Sequence, residues 1–223
     1  LEAENAYTEA TMAPLGGLRD ELFSEFKARI KETDLSVPVE KDGWSYYSRT
    51  EEGLPYGVHC RRSVGGGGGH DDDRLRADGP EITLLDENLE AGDSDYFELG
   101  VFDVSPDHQL MLWAADRSGD EKFELRVRDL AAGHELDDVI ADVSYGSAWA
   151  MDNRTFYYVR VDHAHRPFQV WRHELGCAPT EDELVFEELD ERFFVGVGRE
   201  RDDSFIQIGS SSAITDELWL IPA

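Results

Sequence analysis

Basic residues are scarce in this chain: 21 Lys and Arg stand against 49 Asp and Glu, leaving a formal net charge of −28. Nucleic-acid binding runs through Lys and Arg contacts to phosphate, so this deficit argues against nucleic acid as a partner. Long apolar runs are missing too. No window reaches the roughly 20 apolar residues of a membrane span, and Leu1-Glu2-Ala3-Glu4 has neither the basic nor the apolar region of a signal peptide. A soluble chain with no membrane partner is the expectation. Cysteine is down to two, Cys60 and Cys177, too few for a disulfide scaffold and without metal-ligand spacing. Both read as packing residues, and a reducing cytoplasm is the expected setting. An initiator methionine is absent as well, so the sequence from Leu1 reads as a trimmed segment of something longer.

What is present is enough for a core, with 223 residues of which 40% are hydrophobic and 11% aromatic. Residues 1–31 have helical spacing: Ala3, Ala6, Tyr7 and Ala10, then Leu18, Leu22, Phe26 and Ile30 four apart. Pro14-Leu15-Gly16-Gly17 interrupts them, which predicts two short helices. After Pro38 the period falls to two. Phe123, Leu125 and Val127 alternate with Lys122, Glu124, Arg126 and Arg128, the pattern of a strand with one dry face. Turn residues separate such runs: Asp42-Gly43 before Trp44, Glu52-Gly53 before Tyr56, and Ser118-Gly119-Asp120 before Phe123. These are meander hairpins, and no long helix is predicted downstream.

Val104-Ser105-Pro106-Asp107 and its continuation to Trp113 align with Trp149-Ala150-Met151-Asp152 and its continuation to Tyr158, their aspartates 45 residues apart. A second turn follows in each copy, from Asp116 to Asp120 or from Asp162 to Arg166, and a third strand begins at Phe123 or Phe168. A weaker third copy runs from Val197 through Asp203, with strands at Phe205 to Ile208 and Leu218 to Ile221. Short antiparallel strands repeating every 40 to 50 residues or so are the mark of propeller blades. The predicted fold is mainly β: a partial propeller of about three to four blades after two N-terminal helices, where closed rings have roughly four to eight. An immunoglobulin-like sandwich is the alternative, but it would not repeat its own sequence. The predicted organisation is a helical segment over residues 1–36 and an incomplete propeller over 37–223. A Gly/Asp-rich insertion at 64–79 opens with five glycines and continues into Asp71, Asp72 and Asp73.

Candidate chemistry is thin. Gly209-Ser210-Ser211-Ser212-Ala213 looks like a degraded nucleophile elbow, yet the strand-like Leu218-Trp219-Leu220 follows where a helix should, so a polar hairpin turn is expected. Asp162, His163 and His165 could form part of a metal site but lack a third clear ligand. Asp71 to Asp73 lack the spaced ligands of a calcium loop, and no Lys-Ser or Lys-Thr follows the glycines to make a phosphate loop. Trp44, Tyr46 and Tyr47 could stack a ligand, although contacts between neighbouring blades are the plainer reading. The sequence therefore predicts no catalytic, metal-binding or cofactor-binding residue.

Three stretches resemble the prolyl oligopeptidase family of serine peptidases, and within it the oligopeptidase B or protease II branch. The first is Glu4-Asn5-Ala6-Tyr7 with the helix to Ile30, then Ser36-Val37-Pro38, Trp44-Ser45-Tyr46-Tyr47-Ser48-Arg49 and Cys60-Arg61-Arg62. The second runs from Val104-Ser105-Pro106-Asp107 to Val127-Arg128-Asp129-Leu130, and the third from Arg166-Pro167 through Trp171-Arg172-His173-Glu174 to Arg192-Phe193-Phe194. The resemblance implies a propeller that filters substrates by size in front of a C-terminal α/β-hydrolase domain, on which the N-terminal helices pack. It also implies short peptides cut after Arg or Lys as substrates of the parent enzyme. The chain departs from the family pattern in its glycine-rich insertion and in stopping at Ala223, before the family's catalytic Ser, Asp and His, so no position inherits a catalytic role. On this reading the chain is a non-catalytic part of such a peptidase, inactive alone and self-associating through its uncovered faces. A free-standing propeller-like module that binds a protein partner is the alternative. Its −28 charge can attract cationic peptides, or can simply keep the chain soluble.

Overall fold

A computed structural model describes residues 1–65 and 79–223. The insertion expected at 64–79, with Asp71 to Asp73, lies almost wholly outside the described residues. The chain divides into two compact units, Leu1–Glu90 and Ala91–Ala223. The expected boundary after residue 36 marks a change of secondary structure inside the first of them.

In the first unit α1 (Glu2–Met12) and α2 (Gly16–Ala28) flank a 3₁₀ turn at Ala13–Leu15. Pro14 belongs there, because its fixed φ suits the first residues of a helical turn and its missing N–H is not needed. The predicted interruption is real, although Gly16 and Gly17 open α2 and are not part of the break. Four antiparallel strands follow in sequence order: β1 (Val39–Lys41), β2 (Trp44–Arg49), β3 (Val58–Ser63) and β4 (Ile82–Asp86). Asp42 and Gly43, at φ +48° and +83°, form the two-residue turn that sets Lys41 opposite Trp44. The short helix α3 (Glu87–Ala91) comes next.

In the second unit seven strands form one antiparallel sheet in sequence order. They are β5 (Glu98–Val104), β6 (Leu110–Asp116), β7 (Phe123–Asp129), β8 (His134–Trp149), β9 (Thr155–Val161), β10 (Pro167–Glu174) and β11 (Glu183–Glu187). The sheet is two blades joined by β8, whose first part pairs with β7 and whose last residues pair with β9. The strand turns between them at Asp142 and Gly146, with φ of +57° and +91°. A Cβ on Gly146 would also lie 3.3 Å from the Val197 carbonyl oxygen, so glycine answers both the backbone and the space. A three-stranded sheet, β12 (Phe194–Arg199), β13 (Phe205–Ser211) and β14 (Asp216–Pro222), completes the unit. The ladders β1 to β4, β5 to β8, β8 to β11 and β12 to β14 are the three to four blades that the repeat predicts.

The repeat is visible atom by atom in its turns. Asp107 Oδ1 accepts from the Gln109 amide, Asp152 Oδ1 from the Arg154 and Thr155 amides, and Asp202 Oδ1 from the Ser204 amide. The residue after each aspartate, His108, Asn153 or Asp203, is left-handed at φ +61°, +58° and +63°. His, Asn and Asp tolerate that region better than other side chains. The same backbone bond spans each turn: Ser105 N–H to Leu110 O, Ala150 N–H to Thr155 O, and Glu200 N–H to Phe205 O. Three residues before Asp152 and Asp202 stand Trp149 and Arg199, and both reach back to the preceding blade. Trp149 Nε1 donates to the Asp103 carbonyl at 3.1 Å, and Arg199 donates to the Trp149 carbonyl at 3.4 Å.

Packing follows from alternation. On β7 the expected dry face holds, with Phe123, Leu125 and Val127 fully buried. β9 buries both faces, because it lies between two cores. Phe156 and Tyr158 join Trp149, Leu112, Leu125 and Ile140 on one side. Tyr157 and Val159 join Val170, Val195, Ile206 and Ile208 on the other. Each such large side chain contributes about 1.5–3 kcal/mol by leaving water.

Gly100, at a bulge in β5, is where this packing is tightest: an added Cβ would lie 2.5 Å from the ring of the fully buried Phe123. Gly100→Ala should lower stability by ~2–3 kcal/mol through overpacking. Gly196→Ala, whose Cβ meets nothing within 4 Å, should change it by less than ~1 kcal/mol, the intrinsic glycine–alanine difference. Trp149→Phe should cost ~1–3 kcal/mol, because the Asp103 carbonyl loses its donor inside a packed interface. Urea unfolding followed by tryptophan fluorescence and far-UV circular dichroism measures all three.

Candidate functional site

Ser211 ends β13, and the turn that follows, closed by Ser212 and Thr215, leads straight into β14. The hairpin sits two to three residues later than the sequence places it, and Ser211 occupies an exposed strand position opposite Asp216 and not a strand-to-helix elbow. Asp162, His163 and His165 form the β9–β10 turn. There Asp162 Oδ1 accepts the amides of Ala164 and Arg166, while Oδ2 accepts Arg166 Nε at 3.0 Å. Burial raises the Asp162 carboxyl, but those amides and the Arg166 guanidinium outweigh it and hold the group below its ordinary range. That carboxylate is committed to its own turn. Among the described residues no group of three or more His, Cys, Asp or Glu is arranged to hold a metal ion.

Cys60 is buried on β3, and burial, helped by the Glu81 charge, pushes its thiol up. Cys177 is exposed, so reading it as a packing residue is wrong. It falls in the turn after Gly176, outside the strand pattern. Trp44 and Tyr47 stack within their own sheet: the Arg61 guanidinium lies 4.0 Å from the Trp44 ring and that of Arg62 5.6 Å from Tyr47.

Two polar centres escape sequence reasoning, because their members are distant along the chain. Arg166 is 8% exposed and ties down the β11–β12 connection, donating to the carbonyls of Phe193, Asp190 and Glu188. His173 is wholly buried. Its Nδ1 lies 2.6 Å from Asp182 Oδ1 and its Nε2 3.0 Å from Asp138 Oδ1. Tyr158 donates to Asp182 Oδ2 at 2.7 Å, and the Gly176 amide donates to Asp138 at 2.6 Å. Desolvation first, then the bond to Asp182, push the Tyr158 phenol up, with Arg160 opposing them. The only sequence signal was a histidine two residues from Trp171 on an inward-facing strand register.

The remaining candidates are surfaces. No residue of α1 or α2 is buried. Leu18, Phe26 and Ile30 are 53%, 58% and 67% exposed, and Phe23 lies bare beside them. The β12–β14 sheet covers only one of its faces, with Val195, Ile206 and Ile208 in the core and Trp219 against Phe186 at 4.5 Å. Register puts Phe194, Phe205, Leu218 and Leu220 on the other face, all exposed. Gly196, Gly198 and Gly209 lie among them with open space above.

Residues 1–223 match the family described as "Prolyl oligopeptidase, N-terminal beta-propeller domain". Among characterised sequences the chain is 39% identical to dipeptidyl aminopeptidase BI of Pseudoxanthomonas mexicana, over all of this chain and 32% of that protein. It is 31% identical to Protease 2 of Moraxella lacunata, over 99% of this chain and 31% of that protein. Oligopeptidase B from Leishmania major superposes with a TM-score of 0.85 at 26% identity, covering 97% of this chain and 29% of that one. Oligopeptidase B from Trypanosoma brucei, with covalently bound antipain, gives 0.83 at 30% identity, covering 98% and 29%. The chain thus spans less than a third of each of these four relatives. Blades built on a repeated aspartate turn, with a helical pair ahead of them, agree with that match along the whole chain, which belongs to the prolyl oligopeptidase family and represents its N-terminal β-propeller portion.

Proposed function

We propose that this chain is the non-catalytic N-terminal and propeller part of an oligopeptidase B-like serine peptidase, whose parent enzyme hydrolyses short peptides after Arg or Lys. In this reading the propeller restricts which substrates reach an active site carried by a C-terminal hydrolase domain. The observation that carries it is the pair of uncovered apolar surfaces: α1 and α2 bury nothing, and the β12–β14 sheet leaves Phe194, Phe205, Leu218 and Leu220 bare. Exposed apolar surface gathered in this way marks a place where something docks. The helices would meet the hydrolase domain and the bare sheet face a further blade. Two unbridged cysteines support a reducing cytoplasm as the setting, and the −28 charge suits cationic peptide substrates.

The isolated chain should not turn over a fluorogenic peptide ending in Arg-Arg, since in this reading the nucleophile and the base that activates it belong to the C-terminal hydrolase domain. Turnover that Ser211→Ala abolishes would overturn the proposal. Alone, the chain should self-associate, most simply as a two-fold dimer in which each copy covers the other's bare face. Sedimentation velocity across a range of concentrations checks this: a single 25.2 kDa species throughout would rule the dimer out.

A further inference from the structure

We infer that His173 is a buried imidazolium that clamps two adjacent blades together and releases them when it loses its proton. Carboxylate oxygens only accept, and a neutral imidazole has a single N–H. Both ring nitrogens of His173 face carboxylates, Asp182 at 2.6 Å and Asp138 at 3.0 Å, in a site from which water is excluded. With one N–H, one carboxylate would confront a nitrogen lone pair; with two, both are satisfied.

Charge leads to the same answer. The side chains of Asp138 and Asp182 are 6% and 1% exposed. Arg160, from β9, has its guanidinium 5.4 Å from the Tyr158 ring and 4.9 Å from that of Trp171. Arg160 is itself only half-buried, so the wholly enclosed charges are the two carboxylates and the ring: an imidazolium leaves one negative charge uncompensated there, whereas a neutral ring would leave two, which is costlier. On β10 itself Arg172 pairs with Glu183, and Glu174 with Arg154, all exposed. From β9 the ring meets Phe156, and beyond Asp182 the Glu181 carboxylate is bound to the Ala178 amide.

Asp138 sits in the part of β8 that belongs to the β5–β8 blade. His173 and Tyr158 belong to the next blade, and Asp182 immediately precedes β11. The ring thus bridges the two blades, and Asp138 also holds the Gly176 amide at the start of the segment leading to β11. Loss of the ring proton leaves one carboxylate unsatisfied, and the contact to break is Asp138, the longer of the two.

Nitrogen-15 NMR of the histidine rings in the full 223-residue chain tests this. His173 is assigned through its contact with the Phe156 ring, whose centroid lies 4.9 Å away. At neutral pH both ring nitrogens should carry protons, and as pH rises the Gly176 amide signal should move in step with loss of one of them. In Asp138→Asn the Oδ1 that faces both Nε2 and the Gly176 amide still accepts but carries no charge, so the second ring proton should leave at a lower pH than in the wild-type chain. A neutral ring in the wild-type chain, a Gly176 amide indifferent to the ring's titration, or an Asp138→Asn ring that loses its proton at no lower pH than the wild type would each overturn the inference. The two wild-type readouts decide it even if the variant fails to fold.

Discussion

A blade has two faces and can cover neither alone; the rest of this architecture follows from that constraint. A four-stranded antiparallel sheet offers alternate side chains to each side, and β9 shows the result when both sides are met. Phe156 and Tyr158 enter one core, Tyr157 and Val159 the other, and the strand has no wet face in that stretch. At β14 the constraint is unmet, and Leu218 and Leu220 stay in solvent beside glycines that leave room above them. The same chemistry that makes the middle blades dry makes the last one adhesive.

Packing of this kind is non-directional, so something else must set how blades align. Polar groups do so here. The aspartate turns at Asp107, Asp152 and Asp202 fix strand entry with side-chain-to-amide bonds, and the left-handed residue after each turns the chain through a fixed angle. Trp149 and Arg199 then donate back to the previous blade from matching positions. Arg166 pins the β11–β12 connection by three carbonyls, a fork that lysine could not reproduce. The His173 centre is the most buried of these ties and the one whose strength depends on a proton.

Such ties also occupy residues that the sequence singles out for their chemistry. Asp162 with its two histidines has the composition of a metal site, but its oxygens are spent on the amides of Ala164 and Arg166 and on the Arg166 guanidinium. Ser211 has the neighbours of an elbow but the backbone of a strand. A surface carrying a large excess of acid needs its few cations for structure, as Arg61 over Trp44 and Arg160 between Tyr158 and Trp171 illustrate.

Local pattern was enough to determine the blade repeat, the paired N-terminal helices, the dry face of β7 and the Asp42-Gly43 hairpin, because each depends on residues within a few positions of one another. The spacing of Asp107 and Asp152 carried the fold class, since a repeated turn implies a repeated sheet. Tertiary structure alone decided that β8 serves two blades, that both faces of β9 are buried, that Cys177 is exposed, and that Asp138, His173 and Asp182 converge. Nothing near residue 138 announces a histidine 35 positions away. Those facts come from how blades stack, and stacking joins residues by distance in space, of which period and composition carry no record.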